Sequence, residues 1–148
     1  NKMTPCRGNI WLMLANTNLL LFTSNSTLKE NGELVMGAGI AKEVKERLPM
    51  FPLMIGNRIK AIDKVDKWYG VLTSKNYRIG AFQTKDDWRL PSKLELIEYS
   101  TEMLIQIAGN YERIDMPVPG CNNGGLNYKD VEPIIKRLPD NVHVWSRT

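Results

Sequence analysis

Five short runs of apolar, aromatic and β-branched residues, at 19–23, 68–73, 77–83, 113–118 and 142–146, alternate with four stretches of helical periodicity, at 39–48, 51–62, 93–108 and 128–138. Nothing else in the chain constrains its fold as strongly. Strands bounded by Gly, Asn, Asp and Pro and separated by amphipathic helices pack as crossover units over a largely parallel sheet. The helical pattern is plainest at Ile40, Val44 and Leu48, which recur every fourth residue, with Lys42, Glu43, Lys45 and Glu46 off the stripe and Pro49 as the stop. The 93–108 helix carries Ile97, Thr101, Leu104 and Ala108 on one face and opens with a Ser92–Glu95 capping box. The 128–138 helix has Asn127 as its N-cap, and Pro133 predicts that it starts late or bends. The expected architecture is a three-layer α/β/α sandwich with a mixed, mostly parallel central sheet. It forms one domain over residues 1–148.

Two glycine-bearing segments sit where such a fold places ligands. Met36-Gly37-Ala38-Gly39-Ile40-Ala41 opens the first helix, and Gly120-Cys121-Asn122-Asn123-Gly124-Gly125-Leu126 follows a strand and precedes the last helix. Glycine admits close backbone approach, and a helix N-terminus presents N–H groups to anions, so the pair suits a diphosphate. Neither is a known nucleotide fingerprint. There is no Gly-x-x-x-x-Gly-Lys-Ser/Thr, and Ala41 and Lys42 stand where a dinucleotide fold needs its third glycine. The single histidine, His143, lies in a strand-like stretch and is read as structural, which argues against a Ser-His-Asp triad or a His-rich metal site. Cys6 and Cys121 are read as reduced thiols of a cytoplasmic protein. The net charge of +4 is compatible with an anionic ligand without specifying one. No apolar run is long enough for a bilayer, and no signal peptide is expected, so the Asn25-Ser26-Thr27 sequon is set aside.

With these segments in place the chain resembles the macro domains, from about Arg7 to Trp145. The resemblance rests on Arg7-Gly8-Asn9-Ile10, on Thr23-Ser24-Asn25-Ser26 and on the two glycine loops. A further block, Gln83-Thr84-Lys85-Asp86-Asp87-Trp88-Arg89, runs on to Ser92-Lys93-Leu94-Glu95. That last block is similar to the branch containing the DNA ADP-ribosyl glycohydrolase antitoxins, called DarG, and the terminal ADP-ribose glycohydrolase of animals.

The resemblance implies an ADP-ribose ligand and a role for each segment. Asn9, with Ile10 beside it, would meet the adenine, and Asn25 the distal ribose. Gly37, Ala38, Gly39 and Ile40 would hold one phosphate. Gly120, Cys121, Asn122, Asn123, Gly124, Gly125 and Leu126 would hold the other. Cys121 itself is expected to be a small packing residue. Lys85 matches the branch's catalytic lysine and would attack the anomeric carbon of the distal ribose, its charge reduced by burial or by Arg89. The chain departs from the family in two places. Phe22 stands where many members carry the first Asn of Asn-Ala-x-Asn, and Gly124 stands where the animal enzyme has a carboxylate. Asp86 and Asp87 receive no role, and Trp88 is read as packing in the core rather than stacking at the site.

The expected activity is removal of ADP-ribose from modified DNA or protein through Lys85. The alternatives are an ADP-ribose 1″-phosphate phosphatase and a non-catalytic ADP-ribose reader. No metal or cofactor and no membrane partner are implied, and the chain is expected to act as a monomer.

Overall fold

Leu19, Leu20, Leu21 and Phe22 are all buried, an unbroken apolar run with no solvent face. A strand like that is stable only in the middle of a sheet covered on both sides. The computed structural model, which describes residues 2–62 and 68–147, places it there. The strands are β1 (Thr4–Arg7), β2 (Leu19–Ser24), β3 (Val71–Thr73), β4 (Ile79–Gln83), β5 (Ile114–Pro117) and β6 (Val142–Ser146). The helices are α1 (Gly39–Arg47), α2 (Phe51–Lys60), α3 (Leu94–Ile107) and α4 (Tyr128–Ile135). The sheet order is β1-β6-β5-β2-β4-β3, and every neighbouring pair is parallel except β3 against β4. The mixed, mostly parallel three-layer sandwich expected from the sequence is the fold observed.

Alternation along β2 assigns the two layers. Leu19 and Leu21 pack with Ile97 and Leu104 of α3 and Val131 and Ile135 of α4. Leu20 and Phe22 pack with Ile40 and Val44 of α1 and Phe51 and Ile55 of α2. Phe22 meets Phe51 edge-on, with ring centroids 5.8 Å apart, and Phe51 meets Tyr77 in the same way at 6.1 Å. Such aromatic pairs contribute about 0.5–1.5 kcal/mol beyond area burial. The Phe22 departure is therefore a core substitution: its ring faces the α1/α2 layer.

Several element boundaries differ from the sequence expectation. β1 gives no strand signal in the sequence because Thr4-Pro5-Cys6-Arg7 carries a proline and little apolar character; it is an edge strand, where proline is tolerated. The capping box does not form. Lys93 is the N-cap of α3 without a side-chain bond, and Ser92 turns elsewhere. α4 starts at Tyr128 after Asn127 as expected, but it keeps Pro133 inside and ends at Ile135. Among the described residues no helix is long and apolar enough to cross a membrane.

The register aligns the carboxyl ends of the strands along one edge. Ser24 pairs with Gln83, Pro117 with Trp145, and Arg7 with Ser146. From β2 the chain moves to β3 and β4 on one side, then crosses to β5 on the other, so a crevice opens beyond the ends of β2 and β5. The segment after β2 is braced from below by α2, where Gly56 touches the Gly32 backbone. A Cβ on Gly56 would stand 1.9 Å from the Gly32 carbonyl oxygen. Alanine in a helix interior normally adds about 1 kcal/mol over glycine. Here Gly56→Ala is expected to destabilise by roughly 1–3 kcal/mol, the cost of overpacking, read as a lower urea midpoint. A midpoint at or above that of the unmodified chain would show that the Gly32 segment yields freely.

Candidate functional site

The aligned strand ends surround a cleft of about 1110 Å³. Of the residues singled out in the sequence, Asn9, Ile10, Asn25, Gly37, Ala38, Gly39, Ile40, Lys85, Gly120, Asn122, Asn123 and Gly124 line it. Cys121, Gly125 and Leu126 do not. Cys121 and Leu126 pack against the α3/α4 core instead, which leaves Gly120, Asn122, Asn123 and Gly124 as the cleft face of the second loop. His143 lies outside the cleft, half-buried on β6, with its Nδ1 3.7 Å from the Cys6 sulfur.

The first loop is anchored by buried Met36 and leads straight into α1. Ala38, the N-cap, makes no side-chain bond, so the first-turn N–H groups of α1 have no capping acceptor from it. Gly39 has φ +58°, and a Cβ there would lie 3.0 Å from Asn123 Nδ2. The two glycine loops thus approach each other across the cleft, and a side chain at Gly39 would press on the second.

The second loop is held by its own backbone and by Ser92. Leu126 N–H donates to the Gly120 carbonyl at 2.9 Å, closing the loop. Ser92 N–H donates to the Gly124 carbonyl, also at 2.9 Å. Gly124 sits so close to Ser92 that a Cβ would be 2.2 Å from Ser92 Oγ. The side chain missing at Gly124 therefore makes room for a hydroxyl. Ser92 is 5% exposed and lines the cleft, and its Oγ has no hydrogen-bond partner among the described residues. Buried hydroxyls without partners are rare enough to call for an explanation.

Asn25 is buried and its amide is already engaged. Nδ2 donates to the Val35 carbonyl at 3.0 Å, and Oδ1 accepts from Thr27 N–H at 2.8 Å. One hydrogen and one lone pair remain for a ligand. Asn9 Oδ1 accepts from Trp11 N–H at 3.0 Å, capping the short 3₁₀ turn Ile10–Met13. Beneath Asn25, the buried Tyr69 hydroxyl donates to the Asn25 carbonyl at 2.6 Å and also bonds Ser24 Oγ. Burial pushes the Tyr69 phenol well above its ordinary range, so it stays protonated.

Lys85 follows β4, half-buried in the wall of the cleft. Burial lowers its pKa from the ordinary lysine value, and its Nζ has no ion pair or hydrogen bond among the described residues. The expected help from Arg89 is absent. Arg89 is exposed and forks onto Asp87, with N–O distances of 3.0 and 2.8 Å. The hydrogen bonds from Arg89 hold the Asp87 carboxyl down to about 2. Asp86 is taken by Trp68 Nε1 at 2.6 Å and by Lys93. Both carboxylates next to Lys85 are therefore turned to other cations or donors. Trp88, expected in the core, is instead 51% exposed at the lip of the cleft.

The opposite end carries residues that gave no separate signal in the sequence. Trp145 lines the cleft, and its Nε1 donates to Asp115 at 2.8 Å. Asp115 is fully buried and receives both Nε and Nη2 of Arg113 at 2.9 and 3.1 Å. Burial alone would raise this carboxyl, but the donors outweigh it and hold it below its usual value. Trp11 donates to Glu43 at 3.0 Å while Arg47 lies 4.0 Å over its ring.

No family model matches the chain. Two curated relatives called DNA ADP-ribosyl glycohydrolase, from Mycobacterium bovis (strain BCG / Pasteur 1173P2) and Mycobacterium tuberculosis (strain ATCC 25618 / H37Rv), are each 33% identical over 139 residues. The match covers 87% of this chain and 38% of theirs. The chain therefore spans well under half the length of the curated relatives it matches. Among solved structures, the macrodomain of M. tuberculosis DarG superposes with a TM-score of 0.75 at 29% identity, covering 99% of both chains. The macrodomain of Thermus aquaticus DarG gives 0.71 at 25% identity, over 99% of this chain and 97% of that one. Thermosipho africanus DarTG in complex with ADP-ribose shares the fold, with a TM-score of 0.67 at 23% identity, over 87% of this chain and 38% of that one.

The Tyr69 hydroxyl supports the wall of the cleft from beneath, and Tyr69→Phe tests how much depends on it. The change leaves the buried Ser24 hydroxyl and the Asn25 carbonyl each short of a partner, at a cost of about 1–3 kcal/mol. The expected result is a lower unfolding midpoint together with faster amide exchange around Asn25 to Thr27. Exchange unchanged there would place the support elsewhere.

Proposed function

The chain belongs to the macro domain family, in its DarG branch, and on that premise we propose that its cleft binds ADP-ribose and hydrolyses the bond joining ADP-ribose to a nucleobase or a protein side chain. The observation that carries this reading is Lys85: an unpaired, half-buried amine in the same cleft as two loops built to present backbone N–H groups. The diphosphate lies between the Gly37–Ile40 loop and the second loop, the adenine near Asn9, and the distal ribose near Asn25 and Lys85. Ser92 Oγ finds in the ligand the partner it lacks within the protein.

The chemistry follows from the amine. Burial favours the neutral form, whose lone pair is nucleophilic. It adds to C1″ of the distal ribose, and the bond from C1″ to the base or side-chain atom breaks as that atom takes a proton. The adduct opens to an imine, and one water restores the amine and leaves free ADP-ribose. The net change is consumption of one water.

A second reading, binding without turnover, draws on a specific observation. No free carboxylate stands beside Lys85 to supply the departing proton, since Asp86 and Asp87 are occupied by Lys93, Trp68 and Arg89.

Release of labelled ADP-ribose from modified DNA and modified protein separates the two. Lys85→Ala is expected to lower release by at least about 10²-fold, within the range for loss of a catalytic group, while ADP-ribose still binds. The rate is expected to climb with pH and level off below the ordinary lysine value, because the lowered pKa frees the amine earlier. Binding without release on every linkage tried would leave the reader. Ser92→Ala is expected to weaken ADP-ribose binding about three- to tenfold, the scale of one hydrogen bond, without loss of stability, since the hydroxyl has no partner in the protein. A lower melting point with unchanged affinity would make Ser92 structural.

A further inference from the structure

A buried polar layer beneath the cleft joins the two side chains assigned to the distal ribose. Gln83, the last residue of β4, is fully buried. A primary amide in that position is costly unless both its oxygen and its N–H groups find partners. Its Oε1 accepts from Tyr69 N–H at 2.7 Å and from Gly70 N–H at 3.2 Å. Its Nε2 donates to the Lys85 carbonyl at 3.4 Å. Tyr69, held at its backbone by Gln83, donates its hydroxyl to the Asn25 carbonyl at 2.6 Å. A continuous path of hydrogen bonds therefore runs from Lys85 through Gln83 and Tyr69 to Asn25.

The main chain on either side of Lys85 is tied to other elements. Thr84 N–H donates to the Ser24 carbonyl at 2.9 Å, and the Thr84 carbonyl accepts from Lys93 N–H at 3.0 Å. The Asp86 carbonyl accepts from Ser26 N–H and Oγ, both at 2.8 Å. At Lys85 itself, among the described residues, the donor to the carbonyl is the Gln83 amide. Gln83 is in turn anchored: its N–H donates to the Gly70 carbonyl at 2.7 Å, and its carbonyl accepts from buried Ser100 Oγ at 2.7 Å. Capping Tyr69 and Gly70 needs an acceptor alone. Reaching Lys85 as well needs a donor on the same side chain, and an amide of this length supplies both.

The surrounding charges are occupied elsewhere. On the turn, Asp86 pairs with Lys93 and Asp87 with Arg89, and Glu43 and Arg147, which also line the cleft, pair with each other. Where the amine stands is therefore left to the backbone that carries it. We propose that Gln83 is a positioning residue for the reaction: by holding the Lys85 carbonyl and the Tyr69 backbone together, it fixes the Lys85 amine relative to Asn25. The proposal rests on the Lys85 reading of the cleft and deepens it.

The test compares release of labelled ADP-ribose by the unmodified chain, Gln83→Met and Gln83→Glu. Each is measured at the pH where its rate has levelled off, so that protonation of the amine does not enter. Gln83→Met has a similar reach and removes both halves of the link. Gln83→Glu keeps an acceptor for Tyr69 and Gly70 but has no donor for Lys85. Both are expected to lower kcat about 10- to 100-fold, the scale of a reacting group misplaced by about 1 Å, with KM held within about threefold. The unfolding midpoint should fall clearly in Gln83→Met and less in Gln83→Glu. The Lys85 titration, followed by its ε-methylene NMR signal and assigned with Lys85→Arg, should climb towards the ordinary lysine value in Gln83→Met as the loosened amine meets water. The positioning role is overturned if folded Gln83→Glu keeps kcat within about twofold, or if the loss of rate in both variants only follows the folded fraction. It also falls if Gln83→Met folds and leaves the Lys85 titration unmoved. Should Gln83→Met not fold, kcat of Gln83→Glu decides alone. Failure of the underlying reading looks different: Lys85→Ala then releases as fast as the unmodified chain, or the unmodified chain releases nothing, and the positioning role falls with the reaction.

Discussion

Two-sided burial of β2 is the constraint from which the rest of the molecule follows. A strand with Leu19 and Leu21 on one face and Leu20 and Phe22 on the other needs helices both above and below it. Parallel neighbours then require crossovers, and crossovers return every loop of one kind to the same edge. Asn25, Lys85, Gly120 and Trp145 come from four different strand ends, yet they meet around one cleft because the strands beneath them are in register. The site is a consequence of how the core is buried.

The loops at that edge solve their polar bookkeeping in different ways. The segment after β2 closes on itself, with the Asn25 amide bridging to Val35 and Thr27 and the Tyr69 hydroxyl below it. The Lys85 turn closes through ion pairs at Asp86 and Asp87. The second glycine loop closes through backbone bonds and leaves the Ser92 hydroxyl over. Polar groups left without partners, Ser92 Oγ and Lys85 Nζ, sit in the same cleft. Among the described residues the one other buried side-chain polar atom without a partner is Thr101 Oγ1, inside the α3 layer and away from the cleft, so of these groups Ser92 Oγ and Lys85 Nζ are the ones a ligand can meet.

What the sequence made legible was whatever depends on local pattern. The strand and helix alternation gave the layers, and the two glycine segments gave the loops, because glycine and helix starts have local causes. What it hid depends on partners far along the chain. Ser92 looked like the first residue of a capping box, and only the backbone of Gly124 shows why it is not. Arg89 looked like a cation near Lys85 until Asp87, two residues before it, proved to hold it. Leu126 sits in a loop that reads as ligand-facing, yet it packs against the α3/α4 core beside Cys121, the one residue of that loop expected to pack. Trp88 was expected to pack in the core; it stands exposed on a turn whose backbone is tied to Thr27 and Ser26, about sixty residues upstream. β1 was invisible because an edge strand needs no apolar run.

The unpaired lysine also makes stability depend on pH. Burial lowers the folded-state pKa of Lys85 below its unfolded value. Between those two values the unfolded chain binds more protons than the folded one, so stability rises with pH across that window. Below it the amine is charged in both states and the folded chain bears the full desolvation penalty. Pairing Lys85 with Asp86 or Asp87 would remove that penalty, and both carboxylates are close in sequence. Each is instead held by another group, Asp86 by Lys93 and Trp68, Asp87 by Arg89. A salt bridge to Lys85 would stabilise its ammonium and raise its pKa, the opposite of what burial does here. The side chains around the turn thus keep an avoidable cost in the fold, and under the proposed reaction that cost preserves the amine the reaction needs.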